Sequence, residues 1–493
     1  MGLIDFCRKI WNTPPRHGVK EIRRYDGARR GRLYGNWFTS NASANAEIWS
    51  SLTTLRDRSR DLCRNNDYAR GVIQKLVDNV IYLGIGFQAQ VKQVRDSSKN
   101  DDRVNNLIEA AWREWTSEPR WCHTAGILDF AEIQQLVFRS WLESGEVFIR
   151  LVNTSFAGSP IPFALEIIEA DRCAEDHNCT YGDNQIVMGI EVDRWGRPVA
   201  YWFYSEHPGE VSVARTGNGR KLVRVPASEV IHLMARDRPN QLRGIPVMAS
   251  TLLRLKNVAD YEEYEQIASK AAASIMGLIT TEAADILGEP TDSDNSLPAD
   301  EEMKPGVLRY LAPGEHLEAF DPKRPNPNVT GFIECQLRAS GAGIGASYEH
   351  TANDYTKTNY SSSRLSLLNS RDRFKVLQNF FSAKFNRRVY HAWLDMAVMS
   401  SVLNFPDYEV RTKRYHNVRW QYRGWAWVDP NKEVQATLAS LAGGLTTLTK
   451  VAAEQGEDFE ETVKTIARER ELLKQYGVEV AFVDILPSRD ASA

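Results

Sequence analysis

Residues 341–363 read Gly-Ala-Gly-Ile-Gly-Ala-Ser-Tyr-Glu-His-Thr-Ala-Asn-Asp-Tyr-Thr-Lys-Thr-Asn-Tyr-Ser-Ser-Ser, with small residues first and polar ones after them. The glycines allow tight backbone paths, so this stretch predicts a loop. From Arg364 to Met399 apolar residues recur every three or four positions, which is the spacing of one face of an α-helix. About 35 helical residues form a rod of roughly 50 Å. The pattern therefore predicts a polar loop at the tip of a long helix; an ordinary glycine-rich turn leading into a buried helix is the alternative.

The length of the chain and its composition predict a folded protein with more than one core. The chain has 493 residues, of which 42% are hydrophobic and 25% are charged, whereas a single core stops growing at about 250–300 residues. We expect two or three structural units. No apolar run reaches the roughly 18 residues that a membrane span needs, and the N-terminus lacks the features of a secretory signal.

The charge balance limits the way in which the chain can bind DNA. Its net charge is −3, so we expect no tight grip through many phosphate contacts. Residues 1–40 differ, because nine Lys and Arg against three Asp and Glu give +6 there. This basic arm either contacts nucleic acid or docks on a neighbouring subunit.

The cysteines predict no metal centre. Six cysteines spread over the chain indicate reduced thiols in a cytoplasmic setting. Cys173, His177 and Cys179 lie close in sequence, but no second Cys or His pair completes a zinc site.

The first half of the chain predicts helices followed by a β-rich unit. Residues 46–82 are predicted to be helical, and the arginines of 55–70 alternate with acids as on a solvated, ion-paired face. A helix over Phe130–Ser144 is predicted by Asp129 and Glu132, which form a capping-box pattern, and by Gly145 at its end. A strand, 146–152, should follow. Further short β-rich runs are 165–169, 186–192, 198–204, 222–225 and 230–233.

The second half returns to helices. A long helix is predicted to begin at Pro246 and to run to Ser274. Strands over 275–280 and 306–311 flank an acidic insert, 282–304, which has eight acids and no base before Lys304 and is predicted to be a surface loop. Helices over 431–476 should break at Gly443-Gly444 and at Gly456.

Sequence motifs for catalysis are missing. The chain has no G-x-x-x-x-G-K-[ST] phosphate loop, no H-E-x-x-H and no G-x-S-x-G. Gly341-x-Gly343-x-Gly345 lacks the spacing of the dinucleotide fingerprint. We therefore predict no catalytic residue, no cofactor and no enzyme activity.

Several short motifs, in this order and spacing, resemble the portal proteins of tailed bacteriophages, lambda-type branch. The likeness runs from about Leu55 to Tyr476, and its motifs are Leu55–Arg70, Gly145-Glu-Val-Phe148, Asp193–Pro198, Val230-Ile-His232, Arg243-Gly-Ile-Pro246, Gly345-x-Ser-Tyr-Glu349, Asp354-Tyr355, Asn359-Tyr-Ser-Ser362 and Val428–Glu433. The acidic insert has no counterpart in this pattern.

The resemblance implies an α+β, mostly helical subunit that assembles into a ring, typically of twelve copies, through which DNA enters and leaves. It implies a wing, a two-helix stem, a β-rich clip and a helical crown. The segments would be a basic arm 1–45, the wing 46–127 and 275–400, the first stem helix with its following strand 128–159, the clip 160–243, the second stem helix 244–274, and the crown with its tail 401–493. The tunnel loop would be 341–363.

The same resemblance implies partners and a location. The clip would meet the terminase large subunit and a head–tail connector protein, and the ring would contact major capsid and scaffold proteins. It would hold double-stranded DNA without sequence preference, at the portal vertex of a virion and, during assembly, in the host cytoplasm. No membrane is involved. The alternative is a DNA-binding or DNA-processing enzyme of a mobile element.

Two groups of residues are the candidate sites. Phosphate contacts carry no direct sequence information, and the tunnel loop offers hydroxyl, amide and cationic groups for them: Thr356, Lys357, Thr358, Asn359, Tyr360, Ser361 and Arg364. The second stem helix carries four acids that would either repel DNA from a channel wall or form an ordinary solvated face: Asp260, Glu262, Glu263 and Glu265.

Overall fold

The architecture is that of a computed structural model. It describes residues 41–96, 99–210, 221–274, 278–281, 315–318, 328–356, 360–425, 430–457 and 459–477. The basic arm, the whole acidic insert 282–304 and residues 357–359 lie outside these ranges. The described part is mostly helical with several small sheets, as predicted.

Three helices replace the single helical stretch expected over 46–82. They are α1 (Ala44–Trp49), α2 (Leu52–Asn65) and α3 (Asp67–Val80). Asn66 takes an extended conformation between α2 and α3, and its side chain accepts a hydrogen bond from the backbone N–H of Ala69. The prediction of one stretch was wrong because Asn66 both interrupts one helix and caps the next.

Helix α6 is the element that the sequence predicted best. After strand β1 (Gly86–Ala89) come α4 (Asp102–Ser117), α5 (Pro119–Cys122) and α6 (Phe130–Ser144). The capping box of Asp129 and Glu132 is formed, and Gly145 ends the helix with a φ of 85°. The bounds of α6 are those that the capping signals predicted.

The β-rich unit consists of two antiparallel sheets. Strands β2 (Glu146–Val152), β3 (Ala164–Ile168) and β9 (Val230–Met234) form the first, in the order β3-β2-β9. The second has five strands in sequence order, which are β4 (Cys179–Tyr181), β5 (Asn184–Val187), β6 (Ile190–Val192), β7 (Pro198–Tyr204) and β8 (Leu222–Pro226).

The run 186–192 is a hairpin and not one strand. Met188 and Gly189 both have positive φ, at 50° and 78°, which is the backbone of a tight two-residue turn between β5 and β6. Nothing in the apolar run itself signals this turn except the glycine.

Helix α7 (Leu252–Ser274) begins six residues later than predicted. Turns with hydrogen bonds from Ala249 to Pro246 and from Thr251 to Met248 occupy the expected first helical turns. Strand β10 (Leu278–Thr281) follows and pairs with β11 (Glu315–Glu318). The strand expected over 306–311 lies outside the described residues.

Most of the residues expected to form a loop before the long helix are themselves helical. Helix α8 (Val329–Ile344) includes Gly341 and Gly343, and α9 (Tyr348–Ala352) is a short helix inside the expected loop. Helix α10 (Tyr360–Phe381) continues through a π-helical turn, Ser382–Asn386, into α11 (Arg387–Met399). About 40 residues thus form one rod of roughly 60 Å.

The C-terminal part follows this rod in the chain. It comprises α12 (Tyr408–Tyr415), β12 (Val418–Gln421), α13 (Pro430–Ala442), α14 (Leu448–Glu454) and α15 (Phe459–Tyr476). Strand β12 pairs with β1. The breaks between α13, α14 and α15 confirm the prediction from the glycines.

The main core lies between α3, α4, α6 and the rod α10–α11. Its centre is aromatic: Trp112 makes edge contacts with Phe130 and Trp393 at ring distances of 5.3 and 5.0 Å. The five-stranded sheet has a second, smaller core that includes Ile190, Tyr201 and Phe203. The three-stranded sheet lies between the two cores: Val147 and Ile149 of β2 belong to the main core, and Phe148 belongs to the smaller one.

Candidate channel-facing segment

Close helix packing accounts for the small residues at 341–345. A Cβ atom on Gly341 would lie 2.7 Å from Thr351 Oγ1, and one on Gly343 would lie 2.4 Å from Thr251 Cγ2. The glycines therefore let α8 approach α9 and the turn before α7. The loop prediction failed here because glycine permits close contact as well as tight turns.

Helix α9 is fixed by its own side chains. The Ser347 hydroxyl accepts a hydrogen bond from His350 N, and Asn353 ends the helix with a φ of 56°. Lys75 Nζ on α3 donates to Asn353 Oδ1 at 2.8 Å. The short helix is thereby joined to the helical body.

The chain beyond α9 turns around Asp354. Tyr348 OH donates to Asp354 Oδ2 at 2.9 Å, and the Thr356 hydroxyl and N–H donate to Asp354 Oδ1 at 2.6 and 3.0 Å. Burial and this hydrogen bond raise the pKa of Tyr348 to about 12. Thr356 is exposed, and its backbone is fixed by the hydrogen bond from Thr356 N to Asp354.

The start of the rod is paired with neighbouring elements. Arg364 lies 3.4 Å from Glu433 Oε1 on α13, and Ser366 donates to Glu349 Oε2 at 2.7 Å. Part of the positive charge predicted for DNA contact is therefore balanced within the subunit. Tyr360 and Ser361 belong to the first turn of α10, and Lys357, Thr358 and Asn359 lie outside the described residues.

The four acids of α7 lie on two sides of the helix. Asp260 forms an ion pair with Lys256, and Glu263 is exposed. Glu262 instead accepts a hydrogen bond from Tyr68 OH on α3 at 2.8 Å. At 100° per residue, Glu262 and Glu265 are neighbours, and they lie away from Asp260 and Glu263.

Sequence reasoning missed a buried ionic cluster that joins α2 to both sheets. Glu146 on β2 is fully buried, and it accepts from Arg243 Nε at 2.7 Å and from Gly244 N at 2.8 Å. His232 Nε2 lies 2.9 Å from the same carboxylate, and Arg56 NH2 lies 3.6 Å from it. The expectation of a solvated arginine face was wrong for Arg56, whose side chain is only 1% exposed.

Charge pairing keeps this cluster ionised. Burial alone would raise the pKa of Glu146, but Arg243 and His232 hold it well below its usual range. Arg243 also donates to the carbonyl oxygens of Ala170 and Met188 at 3.1 and 2.8 Å. Two of the quoted motifs, around Gly145-Glu146 and Arg243-Gly244, thus meet in space, which the sequence alone did not show.

The described residues contain one group with the geometry for a metal ion. Glu169, Asp171 and His207 place one ligand atom each within 4.8 Å of the others. Arg56 and Arg60 already form ion pairs with Asp171, at 3.1 and 2.6 Å, so a cation would meet two arginines. Cys173 is buried, and Cys179 Sγ lies 3.8 Å from His177 Nε2.

The comparisons with known proteins identify the family. The sequence profile described as phage portal protein, lambda family, matches residues 30–378. This chain belongs to that family. The match includes α6, α7, the β-rich unit between them and the segment before α10. The chain therefore has the general role of a phage portal protein in DNA packaging and ejection, and it is a capsid component of the virion.

Curated relatives match over nearly their whole length. The probable portal protein of Halomonas phage phiHAP-1 is 26% identical over 496 residues, which cover 97% of this chain and 94% of that protein. Portal protein B of Escherichia phage lambda is 24% identical over 502 residues, which cover 92% and 91%. A solved chain from the neck of an empty GTA particle aligns with a TM-score of 0.46 and 14% identity, over 83% of this chain and 93% of that one. In the described residues, no helix is long and apolar enough to cross a membrane.

Proposed function

We propose that copies of this chain form a dodecameric ring whose channel passes double-stranded DNA through one capsid vertex. The observation that carries the proposal is the family match over residues 30–378. A ring repeats each DNA contact around its axis. Contacts that are weak in one subunit can therefore together retain the DNA without binding any one phosphate tightly.

The exposed side of α7 supports self-assembly. Leu253, Tyr264 and Ile267 are 67%, 68% and 53% exposed, and helical geometry puts them on one side. Exposed apolar groups of this kind mark protein contact surfaces. A neighbouring subunit in a ring would cover them.

The segment before α10 is the proposed DNA contact. Thr356 to Ser361 and Arg364 would bind phosphate oxygens without reading bases. By helical geometry Asp260 lies among Leu253, Tyr264 and Ile267, so a subunit that covers them would also cover Asp260. Glu263, at the edge of this side, is the best placed of the four acids to repel DNA at a channel wall. Weak phosphate contacts of this kind allow DNA to slide through the channel.

The remaining regions keep their proposed roles as wing, stem, clip and crown. The clip, 160–243, would dock the terminase large subunit and the head–tail connector, and the ring would contact major capsid and scaffold proteins during assembly in the host cytoplasm. The separate core of the five-stranded sheet supports a distinct docking unit.

We also propose that the chain hydrolyses no nucleotide, because it lacks a phosphate loop. Purified protein should show no ATP turnover above buffer, with or without DNA. Turnover that a point substitution in this chain abolishes would favour the DNA-processing enzyme instead.

Negative-stain microscopy tests the ring. The purified chain should form rings with a central hole, and Leu253→Asp with Tyr264→Asp should disperse them. Leu445→Asp is the matched control, because Leu445 is 82% exposed but lies between α13 and α14. Monomers of the unmodified chain at micromolar concentration would contradict self-assembly, and rings that survive the double substitution would contradict the assigned contact.

A further inference from the structure

A basic groove lies between α11, α12 and β12. Its volume is about 1120 Å³. Glu409 is its one acidic lining residue among those that the structure describes. Its cationic lining residues are Lys92, Arg387, Arg411, Lys413 and Arg414, and His391 and His416 also line it.

Some of these cations are already paired with carboxylates of the same chain, and others are exposed to solvent. Arg414 donates to Asp101 Oδ2 at 2.7 Å and to the Lys92 carbonyl at 2.6 Å, and Arg411 lies 3.8 Å from Asp407. Arg387 and Lys413 are exposed. The groove therefore offers at least these two charges to a ligand.

Two imidazoles form a flat part of the wall. The rings of His391 and His416 stack with centroids 3.8 Å apart and planes 10° apart. Burial, together with the nearby His416 and Arg387, lowers the pKa of His391 to about 4, and burial also lowers that of His416, although Asp395 acts in the opposite direction on both. Both rings are therefore neutral at neutral pH, and they provide surface for packing beside the cations.

The groove is apolar as well as basic. Val410 and Val94 are 87% and 52% exposed, and Trp420 is half-buried in the lining. A DNA backbone offers phosphates but no apolar side chains to cover these residues. An acidic peptide that also carries aliphatic residues matches both properties.

This chain contains a segment of that composition. Residues 282–304 carry eight acids, no base before Lys304, and the aliphatic Ile286, Leu287 and Leu297. The segment leaves β10 at Thr281, and the chain returns at Glu315, which is paired with Thr281. Half of residues 282–314, some 16 residues in extended form, can reach roughly 50 Å from that point.

We propose that the acidic segment 282–304 of this protein docks in the basic groove. Its carboxylates would pair with Arg387 and Lys413, and its aliphatic residues would cover Val410 and the stacked histidines. The groove shares no lining residue with the proposed DNA-contact segment before α10, and the test of docking does not depend on ring formation.

Protection from a glutamate-specific protease tests the docking in the intact chain. Cleavage after Glu282, Glu301 and Glu302 should be slow at low salt and at least fivefold faster in Arg387→Glu with Lys413→Glu. The control is Lys375→Glu with Lys384→Glu, since both lysines are exposed on the same rod but do not line the groove. Its cleavage rate should stay within twofold of that of the unmodified chain.

A second measurement uses a fluorescent peptide of residues 282–304 and a variant that lacks this segment. The peptide should bind the variant, and the groove reversal should weaken binding at least tenfold. Equal cleavage rates in the unmodified and reversed chains would overturn the proposal, as would a peptide that binds both equally. If the reversal lowers binding of a 20-base-pair DNA duplex and leaves cleavage unchanged, the groove takes DNA and the proposal is wrong.

Discussion

Gly145 and Gly244 show why single residues decide the junction between the helices and the sheets. Gly145 ends α6 with a φ of 85°, and a Cβ atom there would lie 2.2 Å from the carbonyl carbon of Ile245. A Cβ atom on Gly244 would lie 2.2 Å from Gly145 O. The two backbones therefore touch directly beside Glu146 and Arg243. Sequence reasoning predicted the glycine that ends the helix but not this contact, because it joins residues far apart in the chain.

The first prediction separates backbone strain from steric overlap. Gly145→Ala should lower the free energy of unfolding by more than about 4 kcal/mol, because the new methyl group overlaps backbone atoms that cannot move independently. Gly196→Ala is the control, since Gly196 has a φ of 74° and nothing within 4 Å of its Cβ position. It should cost about 1 kcal/mol, from the left-handed backbone alone. Urea denaturation of both variants makes the comparison, and equal losses would contradict the packing argument.

The second prediction concerns the buried carboxylate. Glu146→Gln should destabilise the protein by about 3–5 kcal/mol, because it leaves the Arg243 guanidinium buried without a counter-charge. Glu229→Gln removes a half-exposed partner of Arg150, 3.6 Å away, and should cost at most about 1 kcal/mol. The readout is the midpoint of chemical denaturation. If Glu146→Gln lowers the free energy of unfolding less than Glu229→Gln does, the cluster does not hold the sheets to α2.

At the scale of elements, the sequence predicted helices and strands well where capping or alternation acts locally. Helix α6 had Asp129, Glu132 and Gly145 as local signals, and all three act as predicted. Helix α7 began at Leu252 rather than at Pro246, because a proline favours a first helical turn but does not exclude other turns. The loop predicted from the glycines of α8 was wrong. These glycines are needed for close contact with Thr351 and Thr251, which belong to other elements. The pairings of Arg364 with Glu433 and of Tyr68 with Glu262 likewise join elements distant in sequence and could not be predicted from it.

The third prediction tests the segment before α10 as an element. Lys357→Ala should leave ring formation intact and should reduce packaged genome length or DNA retention, because it removes one positive charge per subunit from weak phosphate contacts. Shortening the segment within 356–359 should have a larger effect in the same direction. Genome length and DNA leakage are measured in assembled particles, after microscopy confirms normal rings. Unchanged packaging and retention in both variants would place the DNA contact elsewhere.

At the scale of the whole molecule, one face of the three-stranded sheet belongs to the main helical core, and its other face packs with the five-stranded sheet around a smaller core. The buried ionic cluster lies at this junction. Apolar side chains stay exposed on α7, and the polar turn around Asp354 presents Thr356 to solvent. A ring would bury the first surface between subunits and would turn the second toward its axis. Composition predicted the polar character of this segment, but its direction in the assembly depends on the neighbouring subunits.

Photo-crosslinking in assembled particles tests the central claim, that the segment before α10 faces the DNA. A photoreactive phenylalanine analogue would replace Thr356 in one sample and Val410, which lies in the basic groove and is 87% exposed, in another. After illumination of DNA-filled particles, the subunit with the analogue at 356 should carry crosslinked DNA of many sequences, and the subunit with the analogue at 410 should carry little. Crosslinking at 410 but not at 356, or crosslinks confined to one DNA sequence, would contradict the account.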